Sequence, residues 1–142
     1  MRVVVAGVIE REDRRILIGQ RRRGDSSPLK WEFPGGKVEE GETAEAALER
    51  ELREELGVTL RRCAEIGRVT HRYAESLEAL EIRFFAAEIT EEIVVPKAFE
   101  QVQWVLPKEL AEYEFLAANA ELVANLATGR IKPQEILSSK EA

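Results

Sequence analysis

Three glutamates, Glu51, Glu54 and Glu55, stand three and four residues apart in a Glu-rich stretch from Thr43 to Leu56. Wound as a helix at about 100° per residue, the stretch puts Ala44, Ala47, Leu48, Leu52 and Leu56 on one side. Glu51 and Glu55 project into the middle of that same side, and Glu54 lies at its margin. Like-charged pairs at this spacing cost a few tenths of a kcal/mol even on an exposed helix. Partial burial raises that cost and pushes the carboxyl pKa values up unless a cation sits among them. Three hard oxygen ligands beside a cleft are what Mg²⁺ or Mn²⁺ takes, with water and phosphate oxygens completing the shell. The competing reading is a solvated helix laced with ion pairs, since Arg50 precedes Glu54 by four residues and Arg53 follows Glu49 by four. The carboxylates occupy the apolar side while both arginines are expected to point elsewhere, so the helix pattern alone leaves both readings open.

The elements that must position these acids are legible in outline. Gly41 and Thr43 signal the start of the helix and Gly57 its end. Just upstream, Gly35-Gly36 follows Phe33-Pro34, and the paired glycines predict a backbone turn in which carbonyls and amides approach a ligand closely. Val-rich Arg2–Ile9 and Ile16–Gln20, joined by polar 11–15, predict two strands in a hairpin. Segments around Val58–Arg62, Ile66–Thr70, Leu77–Ile89 and Val102–Leu106 read as further strands. Pro107 suits the first turn of a short helix, and Ala118–Ala127 is apolar at helical spacing before Gly129. Strands mixed with two or three helices predict an α/β or α+β fold, helices covering a mixed sheet. A single domain over 1–130 is expected, with a polar, frayed tail over 131–142.

Composition removes several other classes of function. The 142 residues are 44% hydrophobic and 34% charged, enough apolar material for a packed core. No apolar run approaches the roughly 18–20 residues of a membrane span, and the N-terminal MRVVVAGVIE reads as a strand rather than a signal peptide. One cysteine, Cys63, and one histidine, His71, exclude a thiolate-imidazole zinc site, so any metal must be held by oxygen. A lone cysteine also suits a reducing cytoplasm. The net charge of −6 argues against gripping a nucleic-acid polymer. A small phosphorylated ligand needs only a local cluster such as Arg21, Arg22 and Arg23, with Arg14 and Arg15 before it. Those arginines read equally as a solvated hairpin edge. Nothing in the chain argues for a protein partner or sets an oligomeric state.

From Gly36 the chain reads GKVEEGETAEAALERELREELGV: Gly36, five residues, Glu42, seven residues, Arg50-Glu51-Leu52, one residue, Glu54-Glu55, one residue, Gly57-Val58. This resembles the complete signature of the Nudix hydrolases, with all nine specified positions filled. WEFPGGKVEEGET and the strand pair before it resemble the MutT branch more specifically, and the likeness extends from about Val3 to about Leu126. It implies an α/β/α sandwich and an enzyme that uses Mg²⁺ (or Mn²⁺) and water to cleave a nucleoside diphosphate linked to another moiety. By the same resemblance Glu51, Glu54 and Glu55 hold metal with the carbonyl of Gly35, Arg50 orients the glutamates, and Glu42 closes the loop–helix–loop from its other end. Glu51 is the first candidate for general base, and Glu100, four residues before Trp104, is the later-loop glutamate that some members use instead.

The resemblance also bears on the substrate. MutT-like enzymes take oxidised purine triphosphates, chiefly 8-oxo-dGTP, to the monophosphate and pyrophosphate. YEFLAANAELVANL resembles the segment whose Asn reads the oxidised base and puts Asn119 at that position, although Leu116-Ala117 stands where MutT has prolines. An amide suits a guanine edge because it both donates and accepts; Asn before a helix is equally a good N-cap. Arg21 matches a substrate-contacting Arg at the end of the second strand. Phe33 and Tyr73 match pocket-lining aromatics, with core packing as their alternative, and Lys37 is within reach of a phosphate. A CTP or 5-methyl-dCTP pyrophosphohydrolase is the nearest competitor, with ADP-ribose or dinucleoside polyphosphate hydrolysis and a non-catalytic nucleotide-binding module behind it.

Overall fold

The computed structural model describes residues 2–72 and 78–141. Seven strands run in chain order: β1 (Arg2–Ile9), β2 (Ile16–Gln20), β3 (Trp31–Glu32), β4 (Gly35–Lys37), β5 (Leu60–Arg72), β6 (Ala79–Ile89) and β7 (Gln101–Val105). Three α-helices, α1 (Ala44–Leu56), α2 (Ala120–Ala127) and α3 (Pro133–Glu141), and two short 3₁₀ turns, Pro107–Glu112 and Ala117–Asn119, complete it. One sheet has the order β4-β1-β6-β5 and the other β3-β2-β7. β1 and β6 are parallel and the other strand pairs antiparallel, so the four-stranded sheet is mixed, as expected, and the three-stranded one is antiparallel throughout.

Period-two alternation divides the core between two faces. Val5 and Ile9 of β1 and Phe85 and Ala87 of β6 pack with Ala47, Leu48, Leu52 and Leu56 of α1. Ala6, Val8, Ile82 and Phe84 face the other way, onto Trp31, Phe33, Leu110 and the Leu122–Leu126 stripe of α2. β5 is one long strand whose register shifts at Leu60/Arg62 and Glu65/Gly67, where separate short segments were expected.

Two further expectations are corrected. β1 and β2 do not form a hairpin. They meet only at the Glu10–Ile16 bridge and then part into different sheets, because each pairs along its length with a more distant strand. The polar tail is not frayed: α3 lies over β5 and β6, and Leu137 is 1% exposed against Ala64 and Ala86. Near that contact Glu10 is 6% exposed, and its Oε1 accepts no hydrogen bond among the described residues. Burial pushes its carboxyl above the ordinary 4.5, against the charge of Arg14. No described helix is long and apolar enough to cross a membrane.

Candidate active site

α1 carries the glutamates at a fixed height because both its ends are capped. Thr43 Oγ1 accepts from the Ala46 N–H at 3.1 Å, and Gly57, at φ 68°, closes the other end by donating its N–H to the Arg53 carbonyl at 3.0 Å. The paired glycines Gly35 and Gly36 lie in strand β4, not in a turn, and neither has positive φ. What demands glycine is space. A Cβ on Gly35 would lie 1.9 Å from the Val5 carbonyl oxygen, and one on Gly36 would lie 2.3 Å from the Glu51 carboxylate carbon. The Gly35 N–H donates to Glu55 Oε1 at 2.9 Å, so β4 and α1 are stitched together at the acids themselves.

Helical periodicity points Arg50 away from the carboxylates while the family resemblance has it orient them, and its long stem bends back among them. Nε and Nη2 donate to Glu42 at 2.8 and 2.9 Å, and Nη1 donates to Glu51 at 2.9 Å and Glu54 at 3.4 Å. Nη2 also reaches the Lys37 carbonyl at 3.0 Å. The guanidinium thus ties the loop before α1 to the helix and to β4, and it holds the Glu42 carboxyl down at about 2. Arg53 and Glu49 make the exposed pair expected of them, at 2.8 Å.

Glu55 sits in the opposite electrostatic situation. Burial pushes its carboxyl up to about 8, the charges of Glu51, Glu32 and Glu54 add to the rise, and the Gly35 N–H opposes it. A part-buried carboxyl among three others is one whose charged form a cation would stabilise. The donor set of hard oxygens suits a divalent ion. Among the described residues no three acids, histidines or cysteines close on one point, since Glu51 is turned onto Arg50 and Glu54 is 59% exposed.

The remaining sequence-derived residues lie on other elements, Phe33 in the core on the face of the sheet opposite α1. Arg21, at the end of β2, is bonded to Glu32 of β3, the strand that leads into Phe33, Pro34 and Gly35. Lys37 is exposed at the end of β4. Glu100 is exposed before β7, with its N–H donated to the Gln20 carbonyl at 2.9 Å, which puts it across β2 from β3. Phe33 is 3% exposed and packs between Phe84 and Phe115, at ring-centroid distances of 6.4 and 5.3 Å. Tyr73 lies outside the described residues.

Asn119 is 5% exposed in the 3₁₀ turn before α2. Its own φ and ψ are helical (−93°, −6°), and its amide makes no cap bond, so the N-cap alternative is not how the side chain is used. The turn is hung on β3: Trp31 donates its N–H to the Glu114 carbonyl at 2.9 Å, and Leu116 donates to the Trp31 carbonyl at 3.0 Å. A proline at 116 could not make the second bond. Glu32 was missed by the sequence reading, since an acid in a short strand carries no spacing signal of its own.

Residues 1–126 match the NUDIX domain. The chain is 37% identical over 125 residues to an 8-oxo-dGTP diphosphatase of Haemophilus influenzae, covering 87% of this chain and 89% of that protein. It is 34% identical over 122 residues to a CTP pyrophosphohydrolase of Escherichia coli, covering 84% and 87%. A solved structure of MutT, from work on Aliivibrio salmonicida and Vibrio cholerae, superposes with a TM-score of 0.74 at 31% identity, covering 89% of this chain and 96% of that one.

Proposed function

The chain belongs to the Nudix family, and from that premise we propose that it is a Mg²⁺-dependent nucleoside triphosphate pyrophosphohydrolase. Its substrates are oxidised dNTPs such as 8-oxo-dGTP, released as the monophosphate and pyrophosphate. The observation that carries this reading is the acid cluster on α1, where Glu55 is held among like charges against the Gly35 N–H. Glu51, Glu54 and Glu55, with the Gly35 carbonyl, are the groups that would hold the metal. When bound, a divalent ion neutralises polyphosphate charge and makes water a usable nucleophile at neutral pH.

The rest is the chain's own work. Arg50 anchors Glu51 and Glu54 and prevents the acids from splaying apart in the free protein. Glu51 is the candidate proton acceptor, with Glu100 the alternative from the loop beside β2. Arg21 and Lys37 supply positive charge toward the phosphates. Asn119 offers a buried amide that no cap bond uses, and it suits a base edge that both donates and accepts. The single cysteine, Cys63, fits work in a reducing cytoplasm.

A pyrimidine nucleotide is the second reading, favoured by the likeness to the CTP pyrophosphohydrolase. The test is kcat/KM with Mg²⁺ for 8-oxo-dGTP, dGTP, CTP, 5-methyl-dCTP, ADP-ribose and diadenosine tetraphosphate. Preference for 8-oxo-dGTP is expected. Preference for a pyrimidine keeps the glutamate chemistry and overturns the base assignment, and no turnover of any of them overturns the enzyme reading.

A further inference from the structure

β3 brings a fourth carboxylate to the glutamate cluster. Glu32 is part-buried, and both its oxygens accept from Arg21 Nη1, at 3.1 and 3.2 Å. Arg21 is held from two more directions by the loop that follows β2. Its Nε donates to the Ser26 carbonyl at 2.7 Å and its Nη2 to Ser26 Oγ at 3.0 Å. The loop itself is closed by the Arg21 N–H on the Lys30 carbonyl and the Leu29 N–H on the Arg21 carbonyl. A guanidinium has five N–H donors. Nη1 serves Glu32, Nε the Ser26 carbonyl and one Nη2 hydrogen Ser26 Oγ, which leaves the second Nη2 hydrogen for a ligand.

Holding a flexible arginine in this way needs a charged acceptor in a place where another negative charge is costly. Glu32 stands close enough to Glu55 for its charge to act on it. A neutral residue would fill the same space without that repulsion, so the carboxylate needs a reason, and Arg21 is the group it touches.

We propose that Glu32 is a positioning residue which fixes the Arg21 guanidinium at the rim of the glutamate site, its spare donor presented to the substrate's polyphosphate. This rests on the reading of the site as a nucleoside triphosphate hydrolase. Removing the Glu32 charge leaves Arg21 held by Ser26 alone, and substrate binding weakens; Glu55 loses one of its three neighbouring charges, a smaller effect on metal binding that saturating Mg²⁺ offsets. The effect therefore falls on KM more than on kcat.

The experiment is steady-state kinetics of the full-length protein with Mg²⁺ and its preferred triphosphate, for Glu32→Gln, Arg21→Ala and the double variant, with thermal unfolding alongside. Glu32→Gln is expected to raise KM about tenfold with kcat within about twofold, the loss of a charge-assisted anchor. The double variant is expected to be no worse than Arg21→Ala alone, because Glu32 acts through Arg21. Glu32→Asp, which keeps the charge, should recover part of the KM. If Glu32→Gln unfolds, Arg21→Lys applies the same test from the other partner, since an ammonium cannot serve Glu32 and Ser26 in that fork; it should raise KM with the fold intact. An unchanged KM in the folded variants, or additive losses in the double variant, overturns the role of Glu32. Failure of the parent reading looks different: the wild-type protein then turns over no nucleoside triphosphate.

Discussion

Gly35 and Gly36 are adjacent, and replacing each by alanine should damage the protein in a different way. At Gly35 the new Cβ meets backbone, 1.9 Å from the Val5 oxygen and 2.7 Å from the Ala6 Cα. Relief requires β1 and β4 to separate by more than about 1 Å, which loosens the Ala6–Gly35 pairing and the Glu55 contact together. A cost near the upper end of core overpacking, about 3 kcal/mol, is expected, or about 10 °C in Tm for a chain of this size. At Gly36 the Cβ meets the Glu51 carboxylate, 2.3 Å from its carbon and 2.5 Å from each oxygen. That carboxylate is the end of a flexible side chain and can retreat by about 1 Å, giving up its 2.9 Å bond from Arg50. Losing this one part-buried bond, from a guanidinium that keeps its Glu42 partners, costs about 1–2 kcal/mol, still less than the Gly35 clash. A catalytic group displaced by about 1 Å costs on the order of 100-fold in rate. Circular-dichroism melts and Mg²⁺-dependent pyrophosphate release on both variants separate the two effects. A Gly36→Ala protein with wild-type kcat, or one that melts as early as Gly35→Ala, refutes the spatial reasoning.

Other variants probe the remaining parts. Glu54→Gln should lower kcat by 100-fold or more while Tm stays within about 2 °C, since the side chain is largely exposed and the amide removes a hard ligand; near-full activity ends the metal assignment. Asn119→Ala should lose about 1–3 kcal/mol of discrimination for the oxidised purine in kcat/KM while stability stays nearly level, because the amide makes no cap bond to lose; unchanged selectivity points to another base contact. Glu10→Met should stabilise by about 1–2 kcal/mol at pH 8 by removing a buried, unbonded carboxyl oxygen. Its sign follows from a folded pKa above the ordinary 4.5: the wild-type protein loses stability as pH rises from there, so the gain in Tm should shrink toward pH 4. A gain that is the same at pH 4 and pH 8 contradicts the burial of that charge.

Local signals in the sequence were read well, and signals settled by distant partners were not. The limits of α1 were legible because Thr43 and Gly57 act on backbone groups within one turn. Glu51, Glu54 and Glu55 were legible because their spacing contradicts the apolar side they occupy. The direction of Arg50 is not legible in helical periodicity, only in the family resemblance, because a long side chain goes where acids from another segment attract it, and Glu42 lies eight residues back. The glycine pair reads as conformational freedom in the sequence, whereas the requirement is clearance from Val5 and Glu51, which only the packed structure reveals. β3 and β4 are two and three residues long, too short for periodicity to register. α3 presents Leu137 and Ile136 as its apolar contacts in an otherwise polar stretch, so its docking was invisible until β5 and β6 supplied the partner.

The two-residue strand β3 has a consequence for how such proteins diverge. Its neighbour on one edge is β2, and on the other it holds residues 114–116 by main-chain bonds from Trp31 and Leu116. Bonds of that kind fix where the stretch leading to Asn119 sits without prescribing its side chains. In the segment that carries the acids, by contrast, particular residues answer to particular neighbours: Gly36 to Glu51, Arg50 to Glu42, and Glu55 to the Gly35 N–H. On the proposed assignment of Asn119 to the base and of the α1 glutamates to the metal, side chains after Glu114 can change while the backbone is held, whereas those packed around Glu51 and Glu55 cannot. On that assignment a few substitutions after Glu114 suffice to change the nucleotide, and this chain resembles both a relative named for an oxidised purine and one named for CTP.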